Sequence, residues 1–183
     1  EASLKLELLK ALQKKGFDVS DEGDLKDYLG VDIARKDDGK IELTQPQVIK
    51  SILNDLGYVD GTKGKSTPAA SNALLHKDES GIQREVKWNY RSVCGKLNYL
   101  EASTRPDLAF AVHQVSRFQE SPKESHVQAV ERIGRYLSTS RDKGLILDPS
   151  KVGIEVWSDA DWIGSWKSPD RSYNATTAKS RSG

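Results

Sequence analysis

Between Asn89 and Ser138 the apolar side chains fall into three runs of helical period separated by proline. Val93, Leu97 and Leu100 form one stripe, Leu108, Val112 and Val115 a second, and Val127, Val130, Ile133 and Leu137 a third. Residues three and four apart share one face of a helix, so this stretch reads as three helices. Thr104-Arg-Pro-Asp107 is expected to end the first and cap the second, with Pro106 in the first turn and Asp107 reaching back to a free amide. Ser121-Pro-Lys-Glu124 repeats the device. Proline suits a first helical turn because its missing N–H would be unpaired there in any case. Cys94, beside the Val93 stripe, reads as a small core residue.

Upstream the pattern changes. Leu4, Leu8, Leu9 and Leu12 predict an N-terminal helix capped by Ser3 and stopped by Gly16. Two short alternating runs, 28–33 and 40–43, flank Asp38-Gly39, a strong hairpin signal; Val31, Ile33, Ile41 and Leu43 would cover the core face. Thr44-Gln-Pro-Gln47 then offers an N-cap threonine, an early proline and a capping-box glutamine, opening a helix with Val48, Ile49, Ile52, Leu53 and Leu56 inward and a stop at Gly57. Residues 58–87 are poor in apolar side chains and rich in Gly, Ser, Lys and Asp, the composition of a linker between lobes. Strand-like runs at 144–147 and 153–158 close the pattern. The fold class is α+β.

Composition narrows the function. The chain has 183 residues, 36% hydrophobic and 30% charged, with no apolar run near the roughly 20 residues that a spanning helix needs. A secretory leader is not visible, and the single cysteine excludes an internal disulfide framework or a cysteine-built zinc site. A reducing, cytoplasmic setting is the expectation, with no membrane partner. Methionine is absent, so the chain is expected to have been processed or cut from something longer. Net charge is only +1, but residues 90–143 carry nine basic and six acidic side chains, a mild balance compatible with phosphate contact or with an ordinary solvated helical surface.

Few residues carry chemistry on their own. Two-metal phosphoryl transfer requires several carboxylates around cations about 3.5–4 Å apart. The only adjacent Asp pair, Asp37-Asp38, sits at the hairpin tip and reads as a turn. Asp159 ends the run Ile154-Glu-Val-Trp-Ser158, where a strand could hold a ligating carboxylate rigidly, with Asp161 two residues on. Spacing alone fits an ordinary polar strand end as well. His76, His113 and His126 have no ligand neighbours at helical spacing and read as surface or half-buried residues. Trp157, Trp162 and Trp166 flank the acidic strand end and suit core packing more simply than base stacking.

Taken in order, several segments carry a resemblance: Asp24-Leu-Lys-Asp-Tyr-Leu-Gly-Val-Asp-Ile33, Ile41-Glu-Leu-Thr-Gln45, Tyr90-Arg-Ser-Val-Cys-Gly-Lys-Leu-Asn-Tyr-Leu100, Thr104-Arg-Pro-Asp-Leu-Ala-Phe-Ala-Val112, Arg135-Tyr-Leu137 with Lys143-Gly-Leu145, and Ser158-Asp-Ala-Asp-Trp-Ile-Gly164. The chain resembles the reverse transcriptase and ribonuclease H region of copia-type LTR-retrotransposon polyproteins. That resemblance implies the following layout. Residues 1–57 would be the end of the polymerase palm, the primer-grip hairpin and the first thumb helix. Residues 58–87 would be a linker, 88–142 a helical thumb and connection, and 143–183 the start of an incomplete ribonuclease H-like domain.

The resemblance also implies roles. Tyr28, Leu29 and Gly30 match the primer grip, and Arg105, Arg132 and Arg135 are the cations expected to contact the template–primer duplex or an RNA/DNA hybrid. Asp159 matches the first ribonuclease H aspartate, a ligand for Mg2+ in the intact parent, which would act in a virus-like particle as part of the whole polyprotein. The Tyr-x-Asp-Asp motif and the remaining nuclease acids are absent, so the isolated chain is expected to bind no Mg2+ and to have neither polymerase nor nuclease turnover. A non-catalytic duplex-binding module, and a relic or interaction scaffold with no nucleic-acid role, are the alternatives.

Overall fold

The computed structural model describes residues 2–58, 62–70, 74–149, 160–161 and 181–182. Its centre is helical. Helices α2 (Pro46–Asp55), α3 (Tyr90–Ser103), α4 (Ala109–Ser116) and α5 (Glu124–Ser138) contribute to one core. Ile52, Val93, Leu97, Leu100, Leu108, Val112, Val130 and Leu137 are completely buried. Every member of the three stripes expected between 89 and 138 is in that core, because a stripe of helical period has only one face to hide.

The helix ends differ from the sequence expectation in ways that have local causes. Thr44 does not cap α2: it pairs as the last residue of β3 (Ile41–Thr44), and Gln45 takes the N-cap position without a side-chain cap. Gln45 instead turns inward, fully buried, where its Oε1 accepts from the Thr104 hydroxyl at 2.9 Å. At the other end Gly57, at φ +72°, closes α2 by a Schellman arrangement in which Tyr58 N–H donates to Leu53 O at 2.8 Å and Gly57 N–H to Asn54 O at 3.0 Å. Asn89 caps α3 through its Oδ1, 2.8 Å from Ser92 N. Ser121 does not cap α5; Lys123 holds the N-cap position and donates its backbone N–H to His126 Nδ1 at 2.9 Å.

A four-stranded antiparallel sheet lies beside the helices, in the order β1 (Asp27–Tyr28), β2 (Val31–Arg35), β3, β4 (Leu145–Leu147). The hairpin expected at Asp38-Gly39 forms, with Ile33 opposite Leu43 and Arg35 opposite Ile41. Gly39 is at φ +82°, and Asp38 Oδ1 accepts from Lys40 N, so the adjacent aspartates are a turn. Strand β4, which the sequence groups with the C-terminal segment, adds to β3 with Leu145 opposite Leu43. Gly144 permits this: a Cβ there would come within 2.1 Å of the Leu43 carbonyl oxygen. No residue of β1–β4 belongs to the buried cluster; Val31, Ile33, Ile41 and Leu43 are only half-buried, and Ile146 and Leu147 are exposed.

Helix α1 (Ala2–Lys14) forms as expected and ends where Phe17 N–H reaches back to Leu12 O. Ser3 lies inside its first turn rather than before it. Leu4, Leu6 and Leu8 are exposed, so its apolar face is largely uncovered. Residues 62–70 and 74–89 contain neither helix nor strand, yet they are bound to the core. Ala69, Leu75, Val86 and Trp88 pack against it, and Lys65 N–H donates to Arg135 O at 3.2 Å. Short strands β5 (Ala160–Asp161) and β6 (Arg181–Ser182) pair antiparallel. The run 153–158, Asp159, Trp157, Trp162 and Trp166 lie outside the described residues. Among the described residues no helix is long and apolar enough to cross a membrane.

Candidate nucleic-acid interface

Tyr28, Leu29 and Gly30 form the tip of a tight hairpin. Tyr28 pairs with Val31, leaving Leu29 and Gly30 as the two turn residues, at φ +49° and +76°. Positive φ at both central positions is the turn whose twist matches antiparallel strands, and glycine accepts it without cost. Leucine does not: its Cβ crowds the backbone there. The strained residue is also 71% exposed, and Tyr28 beside it is 61% exposed, so neither side chain is recovered by burial. The backbone is held instead by Tyr99 of α3, whose hydroxyl donates to Leu29 O. Sequence reasoning missed Tyr99; the available signal was an aromatic next to Leu100 but off the Val93–Leu97 stripe.

The three arginines separate. Arg105 is 1% exposed. Its Nε and Nη2 donate to Asp107 Oδ1 and Oδ2, both at 2.9 Å, and Nη1 and Nη2 reach Ser140 O and Oγ at 2.8 and 3.0 Å. Tyr136 donates its hydroxyl to Asp107 Oδ2 at 2.7 Å and lies under the guanidinium, 5.5 Å from its ring centre. This is a clamp joining the α3–α4 connection to the end of α5, and its guanidinium has no open face for a phosphate. Asp107 therefore binds Arg105 rather than capping α4. Burial pushes the Asp107 carboxyl up, but hydrogen bonds from Arg105 and Tyr136 outweigh it and hold the group below its ordinary value.

Arg132 and Arg135, three residues apart on α5, are half-buried and share a pocket wall with Lys65 and Arg84. Arg132 Nη2 donates to Thr67 Oγ1 at 2.9 Å. The structure thus brings Arg132 and Arg135 together and places Arg105 in the core. Among the described residues no hydrogen bond links either of them to the Tyr28–Gly30 turn.

The remaining candidates are structural. Cys94 is completely buried, and burial pushes its thiol up to about 12, so it is no nucleophile. His126 is completely buried, where a surface or half-buried ring was expected. Its Nε2 contacts His76 O at 2.7 Å and the ring stacks on Phe118 at 4.0 Å. Nδ1 accepts from Lys123 N–H, so the carbonyl partner makes Nε2 the protonated nitrogen. Among the described residues no three His, Cys, Asp or Glu side chains converge as a metal site.

Comparison with known proteins gives the class. The chain is 35% identical over 149 residues to the retrovirus-related Pol polyprotein from transposon RE1 of Arabidopsis thaliana, covering 81% of this chain and 10% of that protein. It is 33% identical over 157 residues to the corresponding RE2 polyprotein of the same plant, with 85% and 10% covered. The polyprotein from transposon TNT 1-94 of Nicotiana tabacum matches at 35% over 162 residues, covering 85% of this chain and 12% of that protein. These homologues are retrovirus-related Pol polyproteins of copia-type transposons, and the match supports a retrotransposon polyprotein region. The chain spans about a tenth of the length of these relatives. No family model and no solved structure matches it.

Proposed function

We propose that this chain is the part of a retrotransposon RNA-directed DNA polymerase and ribonuclease H that grips the template–primer duplex, rather than a part that performs the chemistry. The observation carrying this reading is the Tyr28–Gly30 turn: a leucine held at φ +49° on an exposed tip, fastened by Tyr99. Backbone strain kept at a solvent-facing apolar tip has no packing return among the described residues, and a docked strand end would supply one. Arg132 and Arg135 add positive charge at a half-buried pocket wall, whereas Arg105 is spent on the core. In this reading Mg2+ belongs to the intact polyprotein, whose carboxylates would hold it. Asp159 is its proposed nuclease ligand in this chain, and residues 143–183 are the proposed start of that domain. Hybrid duplex and the rest of the polyprotein are the proposed partners.

The test has two arms. Primer extension on poly-rA/oligo-dT with magnesium should give no turnover by this chain alone; sustained incorporation would overturn the reading. Gel shifts with an RNA/DNA hybrid should show binding that falls steeply between about 50 and 200 mM salt, as phosphate neutralisation releases counterions. Leu29→Gly, which removes both the strain and the tip side chain, should weaken that binding without lowering stability. Absence of hybrid binding at low salt would sink the proposal.

A further inference from the structure

A pocket of about 510 Å³ opens between α5, the buried side of α4 and the residues Lys65, Pro68, Ala70 and Leu75. Its charged rim is uneven. Arg84 is matched by Glu124 at 3.2 Å and Glu131 at 3.1 Å, but among the described residues no carboxylate pairs with Lys65, Arg132 or Arg135. Its floor is apolar, formed by Pro68, Ala69, Leu75, Ala129 and Ile133.

Two of the residues lining it hold a buried polar atom without a partner among the described residues: Gln114 Nε2 and Arg132 Nε. Gln114 is 2% exposed. Its orientation is fixed by chemistry, because Oε1 accepts from Leu75 N–H at 3.2 Å and from Arg117 Nη1 at 3.4 Å. Turning the amide over would set NH2 against two donors, so the unpartnered atom is a donor. A buried donor left unpaired is costly, a cost the fold would recover if a ligand supplied the acceptor.

We propose that this pocket binds a phosphate monoester of nucleotide size. The dianionic phosphate would accept from Gln114 Nε2 and Arg132 Nε and face Lys65 and Arg135, while the organic body lies on the Leu75–Ile133 floor. The volume falls within the range of small-molecule sites and is too large for phosphate alone. A phosphate is favoured over a carboxylate because its double charge and three terminal oxygens match the cations Lys65, Arg132 and Arg135 more closely than one planar monoanion does. The site shares Arg132 and Arg135 with the duplex reading but not the Tyr28–Gly30 tip, so loss of AMP binding and loss of hybrid binding are separate results. Its phosphate could belong to a free nucleotide or to the 5′ end of a strand.

Calorimetric titration of the full chain with AMP, adenosine and inorganic phosphate, with NMR on the glutamine side-chain amides, tests it. AMP is expected to bind saturably and to shift the Gln114 NH2 resonances, with adenosine and phosphate weaker by about tenfold or more each. Gln114→Glu, which sets a carboxylate in the donor's place, and Arg132→Gln, which tests the site from α5 should the first variant not fold, should each weaken AMP by about tenfold or more. Comparing AMP with a short 5′-phosphorylated oligonucleotide and its 5′-hydroxyl form separates the two sources. AMP alone binding in the pocket names a free nucleotide, and 5′-phosphate-dependent oligonucleotide binding names a strand end. Adenosine binding as tightly as AMP, oligonucleotides binding regardless of the 5′-phosphate with no AMP binding, or AMP binding unchanged in the folded variants would each overturn the proposal.

Discussion

Replacing Asp107 by Asn tests whether the Arg105 clamp holds the helical core together. The variant keeps the side-chain shape but removes the charge that receives Arg105 Nε and Nη2, each at 2.9 Å. The amide oxygen can still accept one of these donors, while the amide NH2 faces the other donor. Arg105 stays buried, with Ser140 as its remaining partner. Each charge-assisted bond contributes about 1.5–3 kcal/mol, which would give about 3–6 for the pair. The Asp107 side chain is 40% exposed, however, so water takes over part of the solvation and the charge is screened. Discounting by about half leaves a loss of roughly 1.5–3 kcal/mol, below the usual cost of breaking a fully buried pair. Urea unfolding followed by tryptophan fluorescence reads this directly, with Glu79→Gln as control: its pair with Lys77 is 78% and 69% exposed and is worth about 0–1 kcal/mol. The acid limb gives a second reading. Asp107 titrates below its ordinary 3.8 in the fold, so its stabilisation is complete above that value and is lost as pH falls through the folded pKa. Asp107→Asn should therefore flatten that limb. A loss no larger than the control's, with an unchanged acid limb, would refute the clamp.

Other predictions concern single groups. Cys94, completely buried and with its thiol pushed up to about 12, should ignore a thiol-specific disulfide reagent in native protein and react once in denaturant; rapid native labelling would contradict its place in the core. His126 is held below its ordinary 6.5, first by burial, so the unfolded chain binds the proton more readily. Stability should be complete above 6.5 and decline as pH drops towards the folded pKa, and an NMR titration midpoint at or above 6.5 would show the sign to be wrong. Gly144→Ala should detach β4 from β3, because the new Cβ meets the rigid Leu43 carbonyl rather than a movable side chain. Fast amide exchange at Leu145–Leu147 with the helices still protected is the expected result; unchanged protection there would refute it.

How much was legible in the sequence follows from which forces have a period. The stripes of α3, α4 and α5 were readable because burying one face repeats every three or four residues, and Val93, Leu97, Val112 and Ile133 are where that rule puts them. The Asp38-Gly39 hairpin was readable because a tight turn demands particular residues. Polar pairing has no period. Asp107 has the right identity and position for a helix cap, and loses that role because Arg105, two residues away, is buried and needs its charge. Ser140, His126 and Gln45 likewise owe their roles to partners distant in the chain: Arg105, His76 and Thr104. Gln114 did leave a trace, as a polar residue three positions after Ala111 on the buried side of α4, where a helix hides apolar groups.

Segment 58–87 shows why composition misleads about packing. Its Gly, Ser, Lys and Asp content describes a chain that cannot build a core, yet it says nothing about a chain that borrows one. Leu75, Val86 and Trp88 find partners on helices that are already formed, and Lys65, Thr67 and His76 attach through backbone or hydroxyl groups to Arg135, Arg132 and His126. The borrowing runs along α5, which is why the pocket is there: a strap laid over a helix by intermittent contacts leaves gaps, and this gap keeps the donors of Gln114 and Arg132 unsatisfied. The sheet and α1 show the opposite behaviour. Their apolar side chains are in the sequence as expected, but Leu4, Leu8, Ile146 and Leu147 stay exposed because no described element of this chain packs over them. This division separates a helical core that is complete from α1 and the sheet, whose apolar faces stay uncovered among the described residues. It sets the proposed grip on the side where the chain's own packing is least complete.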